Sequence, residues 1–156
     1  MSGFFHKFAG ILILGSLFGC PQKSQPEVVD FERAIKFEPI YDMAQRMLTI
    51  KVNLAEGYHA YAPGEKIGVP VSFTIDADNG WKTIGEVKLP QGKEIDLGPL
   101  GKSVVLTGVF SLQASVDGGH GQISGTLNAQ ICTDRLCDKP RKHKFSIPAG
   151  RKLSNE

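Results

Sequence analysis

Residues 48–54 constrain the fold more than any other stretch. Leu48, Ile50, Val52 and Leu54 alternate with Thr49, Lys51 and Asn53. A period of two puts the apolar set on one face of an extended chain, which makes a half-buried strand. The same alternation returns at Val69, Val71, Phe73 and Ile75, and again at Ile123, Gly125, Leu127 and Ala129. Turn signals separate these runs: Glu56-Gly57, Ala62-Pro-Gly-Glu65, Asp76-Ala-Asp-Asn-Gly80, Pro90-Gln-Gly92 and Asp117-Gly-Gly-His-Gly121. No stretch carries a convincing helical period. Short strands with regular turns can bury their apolar faces only sheet against sheet, so the expected class is all-β, an antiparallel β-sandwich.

The remaining strands follow from the same reading. Residues 84–89 form a short strand, 104–112 one continuous strand, and 122–131 a strand that delivers Cys132 at its end. Residues 145–147 close the sheet. Residues 28–41 are open between an edge strand and an irregular lead-in, with Phe31, Ile35, Phe37 and Ile40 as their apolar content. Trp81 follows a turn cluster and reads as a core or sheet-face residue.

Residues 1–20 read as an export signal. His6 and Lys7 precede an apolar run, residues 8–18, too short to span a bilayer but suited to a signal peptide. The run ends in Leu17-Phe18-Gly19-Cys20, which resembles a bacterial lipobox, so Cys20 is expected to be the lipidated first residue of the mature protein. Ordinary cleavage nearby, leaving a spare thiol, is the alternative. Residues 21–44 then form a polar, proline-bearing tether and lead-in, 45–150 the β-sandwich, and 151–156 a tail. A net charge of +2, mixed in sign, gives no basic patch and no reason to expect nucleic acid. The expected setting is the periplasmic side of a bacterial membrane, reached through the lipid. The outer membrane is favoured, because Pro21 gives no obvious inner-membrane retention signal.

Of the three cysteines, two remain once the leader is set aside: Cys132 and Cys137. Export to an oxidising compartment permits a disulfide between them. A ring this short stabilises little, because the chain-entropy gain grows with loop length. A close pair suits exchange chemistry, in which one thiol attacks a partner and the other resolves the mixed disulfide. A small structural disulfide and a metal site with His143 are the other readings of the spacing. Arg135, Lys139, Arg141 and Lys142 nearby favour a thiolate, and Asp134 and Asp138 oppose it. Cys137 follows a loop and is expected to be the more exposed sulfur. No hydrolase elbow, zinc-protease or phosphate-loop motif is present.

Three runs carry a resemblance. They are Gly57-Tyr-His-Ala-Tyr61, Val87-Lys-Leu-Pro-Gln-Gly92 before a loop ending in Gly101-Lys102, and Ala129-Gln-Ile-Cys-Thr-Asp-Arg-Leu-Cys137. In this order and spacing they resemble the N-terminal periplasmic domain of the thiol:disulfide interchange protein DsbD, over roughly residues 45–148. The resemblance implies an immunoglobulin-like antiparallel β-sandwich. It implies that Cys137 forms mixed disulfides and Cys132 resolves them, with no cofactor beyond the dithiol. Tyr58, His59 and Tyr61 would flank the active site, and Leu97, Pro99 and Leu100 would belong to a cap loop over it. Thioredoxin-like periplasmic proteins, including those of cytochrome c biogenesis, would be partners, with a separate membrane electron donor of DsbD type. Asp138-Lys139 before Pro140 departs from the family's usual sequence after the second cysteine. The competing reading is a non-catalytic β-sandwich lipoprotein that keeps the disulfide for structure.

Overall fold

The computed structural model describes residues 29–149. Its strands are β1 (Ile35–Asp42), β2 (Met47–Leu54), β3 (His59–Tyr61), β4 (Ser72–Ile75), β5 (Lys82–Lys88) and β6 (Lys93–Asp96), then β7 (Lys102–Thr107), β8 (Val109–Asp117), β9 (Gln122–Ala129), β10 (Ile131–Cys132) and β11 (Arg141–Pro148). They assemble into three antiparallel sheets, ordered β1-β2-β8-β5, β10-β3-β7-β6 and β11-β9-β4. The fold is the all-β sandwich that the alternation requires.

Alternation does the building. In β2 the apolar set Leu48, Ile50, Val52 and Leu54 is buried, while Lys51 and Asn53 are exposed. It meets Leu112, Ala114 and Val116 of β8 and Ile123, Leu127 and Ala129 of β9 in one large core. Fully burying each large aliphatic side chain contributes roughly 1.5–3 kcal/mol. Trp81 joins this core at 7% exposure, edge-on to Tyr41.

The structure redraws four boundaries. Residues 35–42, left open between an edge strand and a lead-in, are the edge strand β1, paired along its length with β2. Ala34 and Ile35 are buried in the core, so the sandwich begins upstream of residue 45. The stretch 104–112, expected to be one strand, is two strands in two sheets. Gly108 at φ +60° turns the chain between them, a conformation that glycine adopts without strain. The stretch 122–131 likewise divides at Gln130: β9 pairs with β11 and β4, whereas β10 pairs with β3. Val69 is exposed, because β4 starts only at Ser72 and the residues before it form a loop. Residues 1–28 and 150–156, and with them the expected signal, the lipidated Cys20 and the tail, lie outside the described residues.

The sheet β10-β3-β7-β6 has two apolar faces. Ile131, Ala60 and Leu106 stand opposite one another across three strands and enter the large core. The alternate positions Cys132, Tyr61 and Val105 point the other way and make a second, small cluster with Ile67, Ile95 and Leu97.

Candidate functional site

The small cluster carries the cysteine pair. β10 delivers Cys132, the chain turns over residues 133–136, and Cys137 comes back opposite Cys132 as an antiparallel bridge. Thr133 N–H donates to the Leu136 carbonyl at 2.7 Å, and Asp138 N–H to the Ile131 carbonyl at 2.9 Å. The cysteines therefore occupy the non-hydrogen-bonded position between two ladder bonds, where facing side chains come closest. Their Cα atoms are 4.0 Å apart and their sulfurs are joined in a disulfide. Threonine suits the turn, because the Thr133 Oγ1 accepts from the N–H groups of Arg135 and Leu136.

The two sulfurs have different surroundings. Cys132 is fully buried, and Cys137 is exposed beside Leu136, itself 58% exposed. The ring of Tyr61, 5% exposed, reaches from β3 and sets its hydroxyl 3.8 Å from the Cys137 Sγ. A Cβ added at Gly68 would strike the Tyr61 ring, so the loop before β4 must lie flat against that ring. Gln130 locks this loop to the cysteine turn. Its Oε1 accepts from Val69 N–H at 2.8 Å, and its Nε2 donates to the Asp138 carbonyl at 3.0 Å.

Beside the disulfide lies a cavity of about 420 Å³, lined by His59, Tyr61, Leu97, Asp134, Leu136 and Cys137 among others. The hairpin of β6 and β7 supplies one wall. At its tip, Gly98–Leu100 form a short 3-10 turn, with Gly98 N–H donating to Asp96 Oδ1 at 2.8 Å. The residues of this hairpin that reach the cavity are Ile95, Asp96 and Leu97; Pro99 is exposed on the turn. Leu100 belongs to the turn, but its side chain lies outside the described residues. Tyr58 is half-buried, edge-on to Phe31 at 6.0 Å, and lines the depressions that flank the loop, not the one that holds Cys137.

Of the three residues of the tyrosine run expected to flank the site, His59 and Tyr61 thus share the cavity with the sulfur and Tyr58 does not. Sequence reasoning missed Ile67, Ile95 and Val105. Their only signal was apolar character within a loop and two strands.

The charges are arranged around the exit from the turn. The Arg141 guanidinium donates to Asp138 and, at 2.7 Å, to Glu32. The bond from Arg141 holds the Asp138 carboxyl below its usual range. Burial pushes the His59 imidazole below its usual value, against the pull of the Asp134 carboxylate. His143 lies away on β11, edge-on to Phe37 at 5.7 Å, with its Nε2 buried and unpartnered. Burial and then Arg141 lower its pKa. With one sulfur of the disulfide exposed on a turn, the arrangement can support attack by a thiolate on that sulfur.

The family model described as "Thiol:disulfide interchange protein DsbD, N-terminal" matches residues 25–149. No curated protein sequence matches the chain. Among solved structures, the N-terminal domain of DsbD from Neisseria meningitidis in its reduced form is similar at a TM-score of 0.56 and 19% identity. The match covers 78% of this chain and 90% of that one. The N-terminal periplasmic domain of ScsB from Proteus mirabilis is similar at a TM-score of 0.47 and 18% identity, over 74% of this chain and 45% of that one. The fold is accordingly immunoglobulin-like.

Proposed function

The chain belongs to the family of N-terminal domains of the thiol:disulfide interchange protein DsbD, and from that premise we propose that it is a periplasmic thiol–disulfide exchange module, passing reducing equivalents between thioredoxin-like proteins through Cys132 and Cys137. The observation that carries this reading is the asymmetry of the disulfide, one sulfur fully buried and the other exposed on a turn beside a cavity. A partner thiolate meets Cys137 first, because Cys132 is shielded by Tyr61 and Val105. The bond between the cysteines breaks, a mixed disulfide forms on Cys137, and Cys132 departs as the reduced sulfur. Run in reverse, Cys132 attacks the mixed disulfide and expels the partner reduced. The dithiol is the redox group. Tyr61, His59 and the hairpin residues near Leu97 limit which thiols can approach.

The lipid anchor is part of the proposal. Cys20 carries it, and the expected mass of the lipid on that residue in membrane-extracted protein tests it. Recovery of unmodified Cys20 in a soluble periplasmic fraction would remove the anchor from the account.

The exchange reading is tested by trapping. Cys132→Ser should accumulate mixed disulfides with thioredoxin-like proteins through Cys137, since nothing remains to resolve them. Cys137→Ser should trap few. A reduction potential in the range of exchange pairs, roughly −120 to −270 mV, is expected. A potential below about −300 mV, with no trapping by either variant, would mark the disulfide as structural.

A further inference from the structure

The buried sulfur has an imidazole for a neighbour. Cys132 and His59 are direct partners in the β10–β3 ladder. Side chains so paired on one face have Cβ atoms roughly 4.5–5.5 Å apart. His59 is 5% exposed, lies edge-on to Tyr61 at 6.2 Å, and opens onto the cavity that holds Cys137. Histidine is the side chain whose ordinary pKa suits proton transfer near neutrality. Cys132 has to lose a proton before it can attack, and the fully buried side of the pair gives that proton no direct route to water.

We propose that His59 accepts the proton that Cys132 sheds when it resolves a mixed disulfide on Cys137. The inference rests on the exchange reading and deepens it. The step balances as follows. Before it, Cys137 is bonded to a partner sulfur and Cys132 is a thiol. The proton passes to the imidazole, and the Cys132 thiolate attacks the Cys137 sulfur. The Cys132–Cys137 bond forms, the bond to the partner breaks, and the partner sulfur leaves as a thiolate with the electron pair. The imidazolium then releases its proton to water or to the departing thiolate through the cavity.

The groups around His59 fit this role. Asp134, on the cysteine turn, lines the same cavity and favours the imidazolium. Arg135 from the same turn, Asp96 from the tip of β6 and the Tyr61 hydroxyl line the same cavity. Glu56, before β3, lines an adjoining depression that His59 also lines. From β7, Thr107 stands opposite His59 and brings no charge. Burial favours the neutral ring, which can accept a proton, and the Asp134 carboxylate favours it once protonated.

The test is a two-phase reaction of the reduced protein with an aromatic disulfide that releases a coloured thiolate. The first thiolate marks attack by Cys137, and the second marks resolution by Cys132. An unassisted thiol is only a few per cent ionised at neutral pH. The second phase should therefore slow about tenfold in His59→Gln at neutral pH and recover as rising pH ionises Cys132 unaided. The second phase is intramolecular, so any change in access to Cys137 falls on the first phase and leaves this readout intact. Asp134→Asn, at an exposed position, should shift the acid limb of the second phase to lower pH, because losing the carboxylate lowers the imidazole's pKa. Second-phase rates and pH profiles that coincide in wild type and both variants overturn the proposal. If His59→Gln fails to fold, Asp134→Asn decides: a shifted limb supports the role and an unchanged one overturns it. A wild type that shows a first phase and no second overturns the exchange reading itself, and this proposal with it.

Discussion

The two faces of the sheet β10-β3-β7-β6 are built by neighbouring residues and do different work. Ile131, Ala60 and Leu106 enter a core shared by strands of all three sheets. Cys132, Tyr61 and Val105, one position along in the same strands, form a cluster of three buried residues under partly buried cover. Stability scales with the apolar area removed from water, so the first face holds the sandwich together and the second adds little. That frees the second face to keep what a well-packed core excludes: a cavity, a histidine and a sulfur open to solvent. The division is a consequence of the two-residue period of a strand, which lets one short ladder serve both ends.

The sharpest way to break this comparison is to empty each face in turn. Leu106→Ala removes a side chain that is 2% exposed in the large core. It should destabilise by about 2–5 kcal/mol in denaturant unfolding, while thiol exchange in the folded fraction stays as it was. Val105→Ala, next along the chain, should cost less, about 1–2 kcal/mol, and should change the rate at which Cys137 exchanges. If Val105→Ala proves the more destabilising and leaves exchange untouched, the assignment of the two faces is wrong.

Reducing the disulfide tests the second face as a whole. With four residues between the cysteines, the entropic gain from the ring is about 2 kcal/mol or less. The reduced protein should keep a cooperative unfolding transition with a modestly lower midpoint. Loss of that transition on adding reductant would mean the small cluster holds the fold together after all.

Much of this was legible in the sequence because alternation is local. The faces of β2 and β9 could be read directly from Leu48-to-Leu54 and Ile123-to-Ala129. The turn glycines and prolines fixed the element count closely enough to give the class. Sheet membership is not local, and there the reading fell short. Gly108 interrupts an apolar run, which is a signal for a bend, but nothing in the run says that the chain crosses to another sheet. Gln130 hides its break better still, because Ile131 keeps the core-facing phase of β9 while changing partners. At the site, the cysteine spacing pointed to the chemistry. The contribution of Ile67, Ile95 and Val105 depends on register between strands far apart in sequence, and no single stretch displays that.

A subtler cut on the second face is Tyr61→Phe. The ring remains and continues to cover Cys132, so stability should fall by no more than about 1 kcal/mol. The hydroxyl near the Cys137 Sγ is lost. In the reduced protein it can donate to a thiolate, so its removal should slow alkylation of Cys137 severalfold at neutral pH. Unchanged alkylation would assign Tyr61 to packing alone.

The smallest expected effect lies just past Cys137, where Arg141 joins Asp138 to Glu32. This clasp ties the exit of the cysteine turn to the residues that lead into β1. The Asp138 carboxyl is held below its usual range by Arg141. A carboxyl whose pKa is lowered in the folded state contributes stability above its unfolded pKa of about 3.9. That contribution is lost as the pH falls through the lower folded value. The salt bridge is partly open to solvent, with Arg141 29% exposed, and screening limits what it adds. Asp138→Asn should therefore lower stability slightly at neutral pH and flatten its dependence on pH below about 4. The large core contains no ionisable partner of this kind among the described residues, so Leu106→Ala should shift the acid profile down without changing its shape. A variant of Asp138 with the wild-type acid profile would show that the clasp is ornamental, and that the cysteine turn is held by Gln130 and the ladder bonds alone.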